Sequence, residues 1–341
     1  MRINNTTAVL NNRLIPLAFA AIFIIWGSTF LAITYGLLGF PPFMLSALRF
    51  LAAGSVLLIW RWLKGERFPS LKDTGRNTVA GLLILGGGTG LVAWSEQYVS
   101  SSEAAIVAAT APFWFIALDS KNRRQYLADK FILTGLVTGF AGLLLFFKGS
   151  FGISSGGAGT GMRISAFVVL GISSLSWVLG SLFSKNYPAK KGSTVMNAAQ
   201  QLLAGGIACI LVSTARNEWT GFSFAQVPLQ AWMGLLFLVV MGSVVAYLSY
   251  IWLLTVRPPA LVSMHTYINP VVAVLIGWLL LSERIAPEQI VALGIILAGV
   301  LLTNINNYVV SDRTKVRIRR FLRQVRYVAG ITRLITFSNK A

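Results

Sequence analysis

The chain has 341 residues, of which 55% are hydrophobic and only 11% charged, with a mean hydropathy of +0.71 and a formal net charge of +19. A soluble domain carries about a quarter charged residues, so this composition excludes an ordinary soluble fold and points to a chain dissolved in lipid. Cys209 is the single cysteine and sits in an apolar run, which excludes a disulfide framework or a cysteine-based metal site.

Hydrocarbon leaves backbone groups no water to bond, so only helices or a closed barrel can cross it. The apolar runs are about 20 residues long without strict alternation, and therefore read as helices. In chain order ten spans are predicted: 14 to 36, 43 to 62, 77 to 99, 103 to 119, 131 to 148, 163 to 184, 193 to 214, 231 to 254, 260 to 281 and 287 to 307. Ala18-Phe19-Ala20 mimics a signal-peptide cleavage site, but the first run is too long for a signal-peptide core. Placing the N-terminus in the cytoplasm gathers the basic residues of segments 61–76, 121–130 and 185–191, Arg257 and the tail on the inside. Only Lys148, Arg163, Arg216 and Arg284 remain outside. This asymmetry fixes the expected orientation and accounts for the positive charge without nucleic acid.

The two halves resemble each other. Leu48 to Gly54, LRFLAAG, matches Gln200 to Gly206, QQLLAGG; Trp26-Gly27-Ser28 parallels Trp177 to Ser181; Gly81-Leu82-Leu83 matches Gly234-Leu235-Leu236. Five spans per half is an odd number, so the second repeat, 163–307, enters from the side opposite the first, 14–148. The expected fold is an all-α integral membrane protein of ten transmembrane helices in two inverted five-helix repeats. Between the repeats runs a Gly/Ser-rich external linker, 149–162. A basic amphipathic segment, 308–341, follows as a cytoplasmic tail.

The phrases IIWGSTFLAI, LRFLAAG, WSEQYV, PALVSMHTYINPVVAVLIGWLLLSE and ALGIILAGVLL resemble the ten-helix EamA-type exporters of the drug/metabolite transporter superfamily, over roughly residues 14 to 307. That family tends to carry a proline in the ninth helix and a glycine-glutamate pair at its end. Here Ser282 replaces the glycine while Glu283 is kept, and helix four ends Leu118-Asp119-Ser120-Lys121 without the pair. The resemblance implies a multi-pass protein of a bacterial-type inner membrane, both termini cytoplasmic, exporting small metabolites or toxic compounds.

Several residues are candidates for a substrate pathway. Pro112 and Pro270 fall at matching depths in the fourth and ninth spans, and paired interruptions are the best sequence pointer to a midplane site in inverted-repeat transporters. His265 and Asn269 are four apart and share a helix face near the distortion expected at Pro270; the bland reading is that both only tie helices together. Arg49 lies deep in the second span, and Glu96, near the outer end of the third, is its expected ion-pair partner. In the second half Gln200, Gln201, Tyr247 and Tyr250 form an uncharged polar set, with Gln201 the counterpart of Arg49. Trp26, Trp94 and Trp177 supply an aromatic wall, although Trp94 also suits an interfacial anchor.

In the tail, Ile318, Phe321, Leu322, Val325, Val328 and Ile331 recur at helical spacing among arginines and lysines, which suits anionic lipid rather than RNA. The expected function is a secondary transporter exporting small organic metabolites, amino acids or their analogues and drugs among them, by alternating access. Glu96 and His265 are the candidates for proton coupling, facilitated export fits equally, and a monomer suffices. No phosphate loop for ATP, cofactor or metal is expected. The alternatives are a membrane receptor, a channel or an embedded enzyme; one histidine and no mid-span aspartate disfavour the enzyme.

Overall fold

The computed structural model describes residues 5–99, 104, 107–146, 148, 160–281 and 287–304. Ser282, Glu283, residues 149–159 of the linker and the 308–341 tail lie outside the described residues.

Every regular element among the described residues is helical. In chain order they are α1 Asn5–Leu37, α2 Pro42–Leu63, α3 Leu71–Ser95, α4 Ala111–Leu118, α5 Lys130–Phe146, α6 Thr160–Asn186, α7 Thr194–Ala215, α8 Leu229–Val256, α9 Pro259–Val262 continued as His265–Leu281, and α10 Pro287–Asn304. A short helix, Arg123–Ala128, leads from α4 into α5. Six of them, α1, α2, α3, α6, α7 and α8, are long and apolar enough to cross a membrane by themselves, and α5 and α10 are shorter apolar helices. Some boundaries move from the sequence expectation. α3 starts at Leu71 rather than 77, because the Ser70 hydroxyl caps it by accepting the Asp73 N–H. Ser193 caps α7 in the same way through the Met196 N–H.

The packing has an internal two-fold pattern. α2 runs along α7 and α5 along α10, while α1 lies against α8 and α9 as α6 lies against α3 and α4. Each contact therefore has a mate when the halves are exchanged. Glycines set how close the paired helices come. A Cβ on Gly54 of α2 would stand 3.0 Å from the Leu203 nitrogen of α7, and one on Gly206 of α7 would stand 3.0 Å from the Leu51 nitrogen of α2. These two glycines occupy equivalent places in LRFLAAG and QQLLAGG, so one close approach is made twice. Without a hydrophobic drive between helices in lipid, such backbone proximity is a main source of their association.

α3 and α8 share a feature that no hydropathy pattern shows. Each carries a nine-residue π-helical stretch, Leu82–Gly90 in α3 and Leu238–Ala246 in α8. The wider π turn loosens the axial hydrogen bonds, and side chains of the opposite repeat bond the carbonyls. Ser173 Oγ of α6 donates to Gly88 O at 2.7 Å and Ser176 Oγ to Leu83 O at 2.8 Å. On the other side Trp26 Nε1 of α1 donates to Gly242 O at 3.1 Å. The π stretches are thus one place where side chains of one repeat bond the backbone of the other.

The α5–α10 seam gives a direct test. A Cβ on Gly299 would lie 2.6 Å from Gly139 Cα and 2.7 Å from Gly135 O, whereas one on Gly294 of the same helix meets nothing within 4 Å. Gly299→Ala should lower the melting temperature of the purified protein, since overpacking against backbone costs about 1–3 kcal/mol. Gly294→Ala should leave it unchanged or slightly raised. Equal effects of the two would contradict the close seam.

Candidate functional site

Interruptions are found in both the fourth span, just before α4, and α9, but the one in α9 is not where Pro270 led us to expect it. Helix runs through Pro270 from His265 to Leu281, and the break falls upstream at Ser263 and Met264. Pro270 forfeits one hydrogen bond, to Thr266 O, and crowds that carbonyl; the backbone just before it absorbs the distortion. There the bonds tighten to three-residue steps, Met264 N–H to Leu261 O at 3.3 Å, Thr266 N–H to Ser263 O at 3.0 Å and Tyr267 N–H to Met264 O at 3.1 Å. Polar side chains take up carbonyls in the break: Ser263 Oγ donates to Ala260 O at 2.8 Å, Thr266 Oγ1 to Ser263 O at 2.8 Å and His265 Nδ1 to Val262 O at 2.9 Å. A carbonyl only accepts, so Nδ1 of His265 carries a proton and a neutral ring keeps Nε2 as an acceptor. In α4 the turn at Ala109–Thr110 precedes Pro112, which sits in the first turn of Ala111–Leu118, where its missing N–H is no loss.

Next to the α9 break lies a cavity of about 130 Å³, bounded by α1, α2, α3, α6, α8, α9 and the α4 region. It includes Phe30 and Ile33 from the last turns of α1, Thr89 and Val92 from those of α3, and Leu170 from the first half of α6. These positions set it in the half of the bundle away from the basic loops. Trp26, Arg49, Trp177, Tyr247, His265 and Asn269 all line it, as do Ser174, Ser243 and Thr266. The cavity thus collects six of the sequence candidates from α1, α2, α6, α8 and α9. Among the others, Pro112, Pro270 and Tyr250 lie behind this wall, buried.

Arg49 is 6% exposed and its guanidinium Nε donates to Ser243 Oγ at 2.8 Å. The ion pair expected with Glu96 is not formed. Glu96 lies outside the cavity wall, its two carboxyl oxygens buried without a hydrogen-bond partner, and the neighbouring Trp94 Nε1 is unpartnered as well. The Arg216 guanidinium lies 5.6 Å from the Trp94 ring centre, which fits the anchoring reading of that tryptophan. The separation has a geometric cause. Arg49 is drawn to α8, where Gly242 leaves room for it: a Cβ there would come within 2.9 Å of Arg49 Nη2. The cavity consequently contains a fixed cation with no carboxylate partner among the described residues. Two of its lining residues, Asn269 and Ser174, have a buried side-chain oxygen without a hydrogen-bond partner among the described residues. Leaving such groups unsatisfied costs about 1–3 kcal/mol each.

Toward the basic end the cavity floor is aromatic and amide. Trp26 packs on Trp177, Tyr250 and His265 with ring centres 5.4, 5.1 and 4.8 Å apart. Trp177 Nε1 donates to Tyr250 OH at 2.9 Å, and Tyr250 OH lies 2.7 Å from Ser181 Oγ. Tyr247 OH donates to Gln201 Oε1 at 2.7 Å. Gln201, which inversion of the repeat was expected to bring toward the basic end, lines a second cavity of about 240 Å³ there, with Asn77, Arg76 and Lys185. The Tyr247–Gln201 bond therefore joins the walls of two cavities. Gln200 accepts from Asn77 Nδ2 at 2.7 Å and belongs to the same amide cluster.

Below this floor the loops of the two halves are latched. The Glu66 carboxylate accepts from the Ser193 N–H and hydroxyl and from Arg61. Asp73 accepts the Lys190 N–H at 3.0 Å, and Arg76 donates to Pro188 O at 3.3 Å. Burial by itself pushes the Glu66 carboxyl up, but the Ser193 and Arg61 hydrogen bonds outweigh it and hold the group below its usual range. A carboxyl so depressed stabilises the fold above its unfolded value of about 4.3, and that contribution is lost as pH falls through the folded value. Melting temperature should therefore fall more between about pH 5 and about pH 3 in the wild type than in Glu66→Gln. Parallel pH profiles would remove the latch from the account.

Sequence reasoning missed Ser174, Ser243, Thr29, Thr266 and Gly242, because small polar residues and glycine in a span carry the same signal as close packing. The comparisons with known proteins agree with this architecture. The model of the EamA-like transporter family matches residues 13–148 and again 163–305. The chain is 33% identical to the inner membrane transporter YedA of Escherichia coli (strain K12) over 304 residues, covering 87% of this chain and 93% of that one. It is 24% identical to the transporter YoaV of Bacillus subtilis (strain 168), covering 88% and 98%. A protein solved by crystallography shares the fold with a TM-score of 0.67 at 17% identity, over 86% of this chain and 97% of that one. Two family matches in one chain, on a helical bundle whose halves pack alike, lead to one conclusion: the chain belongs to the EamA-like transporter family and is a multi-pass inner membrane transporter.

Proposed function

We propose that this transporter exports small organic solutes bearing a carboxylate, amino acids and their analogues among them, by alternating access through the Arg49 cavity. The observation that carries this reading is the buried guanidinium of Arg49, which lines the cavity and among the described residues has only a neutral serine as its hydrogen-bond partner. A buried cation of this kind is costly until an anion joins it, and a planar guanidinium matches a carboxylate with two parallel hydrogen bonds. The rest of the lining includes Trp26, Phe30, Ile33, Leu85, Val92 and Leu170, which suits an apolar remainder of the solute. Alternating access draws support from the two cavities on either side of the Tyr247–Gln201 contact and from the breaks in α4 and α9. His265, which lines the cavity, is the better placed of the two titratable groups for a coupling proton; Glu96 is not in the wall. Both termini are assigned to the cytoplasm from the basic loops, so the Arg49 cavity belongs to the external half.

Two measurements test this reading. In proteoliposomes, Arg49→Met should give a folded, monodisperse protein without carboxylate transport, because it removes an uncompensated buried charge and the anion's partner together. Arg49→Lys keeps the charge but not the fork, and should transport about tenfold more slowly or worse. Normal rates in Arg49→Met would sink the proposal. For orientation, a membrane-impermeant maleimide should label Thr220→Cys in intact cells and Lys64→Cys only after permeabilisation, both in a Cys209→Ser background. The reverse pattern would turn the export reading round.

A further inference from the structure

Consecutive helices α4 and α5 part company on the outside of the bundle: α4 packs on α6 and α9, whereas α5 packs on α10. A groove of about 640 Å³ lies between them. Phe113, Trp114 and Ala117 line it from α4, and Val137, Phe140 and Leu144 from α5. Phe113 and Phe140 meet edge-on, with ring centres 5.3 Å apart. Thr110, which also lines the groove, already donates its hydroxyl proton to Val107 O at 2.7 Å, so the walls offer little to a polar solute. At the foot of the groove the segment joining the two helices carries Lys121, Arg123, Arg124 and Lys130, all exposed and none in an ion pair among the described residues. Its two acids are already engaged: Asp119 accepts from Asn122 Nδ2 at 2.7 Å and from Tyr126 OH at 3.0 Å, and Asp129 accepts the Phe131 N–H at 3.0 Å. We infer that the groove and this segment together bind one anionic phospholipid of the leaflet at the basic end, its phosphate at Arg123 and Arg124 and an acyl chain between α4 and α5.

Depth along the helices matches the dimensions of such a lipid. At 1.5 Å per residue, Trp114 stands about 6 Å and Thr110 about 12 Å from the end of α4 at Leu118, while Val137 and Leu144 stand about 10 and about 21 Å from Lys130. Half of a hydrocarbon core is about 15 Å thick, so a chain descending from a headgroup at the basic segment runs along the groove to the middle of the bilayer. The Trp114 indole falls at the level where tryptophan meets the polar boundary of the hydrocarbon. Charge then selects among lipids, because an unpaired arginine pair attracts an anionic headgroup and gives a zwitterionic one little. A free phosphate would use the arginines without the groove, and a neutral lipid the groove without the arginines. The site is independent of what the Arg49 cavity carries, but α4 separates the two: Thr110 lines the groove and the adjacent Ala111 lines the cavity. A chain in the groove thus braces the interrupted fourth span from behind.

Native mass spectrometry of the delipidated full chain, titrated with dioleoyl phosphatidylglycerol or dioleoyl phosphatidylcholine, tests the site with matched acyl chains and different headgroup charge. The wild type should take up one phosphatidylglycerol about fivefold or more tightly than phosphatidylcholine, the contribution of roughly one basic residue at an anionic surface. That first lipid should also raise the melting temperature, since a ligand of the folded state stabilises it. Arg123→Gln with Arg124→Gln should remove the preference. Ala141→Trp, which fills the groove at an exposed position and changes no charge, should weaken the first phosphatidylglycerol at least threefold. Lys190→Gln with Lys191→Gln, an exposed basic pair in another loop, should leave both affinities unchanged. Equal wild-type affinity for the two lipids would overturn the inference, as would a first phosphatidylglycerol that survives Ala141→Trp or is lost equally in the Lys190 and Lys191 variant. A wild-type dimer that Ala141→Trp converts to a monomer would give the groove to a second copy of the chain and overturn it as well.

Discussion

In a hydrocarbon solvent, every backbone carbonyl that leaves its own helix must find a donor inside the protein, and the architecture follows from where those donors sit. The two π stretches, Leu82–Gly90 and Leu238–Ala246, are the places where α3 and α8 give up regular bonding. Their carbonyls are met from the opposite repeat, by Ser173 and Ser176 on one side and Trp26 on the other. A transporter must bend somewhere, and irregular backbone is tolerated at membrane depth only where protein or a cavity covers it. Here the irregular stretches of α3, α8 and α9 all contribute to the wall of one cavity.

The same rule recasts the polar cluster at the ninth span. Ser263, His265 and Thr266 bond carbonyls in the break just before them, so they are structural and lie at the site for the same reason. His265 stabilises the break with one nitrogen while its ring packs on Trp26 in the cavity wall and on Tyr250 behind it. For this residue a bond that holds the helix break and a place in the cavity wall are compatible. Asn269 differs: it lines the cavity, and its side-chain oxygen has no hydrogen-bond partner among the described residues.

Arg49 and Gln201 show how an inverted repeat yields an asymmetric site. They occupy equivalent places in LRFLAAG and QQLLAGG, and each reaches α8, Arg49 to Ser243 and Gln201 to Tyr247. The charged member lines the cavity in one half of the bundle and the neutral member lines the cavity in the other. The basic-end cavity is separated from the Arg49 cavity by the aromatic and amide floor and latched through Glu66 and Asp73. One backbone symmetry thus places a charged and a neutral counterpart in two different cavities, the second of which has its own cations in Arg76 and Lys185.

Much of the fold was legible in the amino-acid order, because hydropathy and internal similarity are properties of local segments. The helical crossings, the duplication, and the candidacy of Arg49, Trp26, Trp177, His265 and Asn269 all follow from residue type at depth, since a polar or aromatic group inside a span is costly unless it is used. What each of them touches is a different matter. Arg49 was expected on Glu96 from equal depth and opposite charge, yet distance along a helix axis says nothing about its rotation, and the space beside Gly242 turned the guanidinium to α8. Pro270 announced a distortion whose place was decided by the hydroxyls of Ser263 and Thr266 upstream. The π stretches and the cavity's serines carry no signal of their own, because a serine facing a loosened carbonyl and a serine packed against a neighbouring helix read alike until both repeats are in place. Sequence alone determined the solvent, the crossings and the costly residues; the tertiary structure decided which of those residues share a cavity, because that depends on contacts between halves more than a hundred residues apart, such as Trp26 with Gly242.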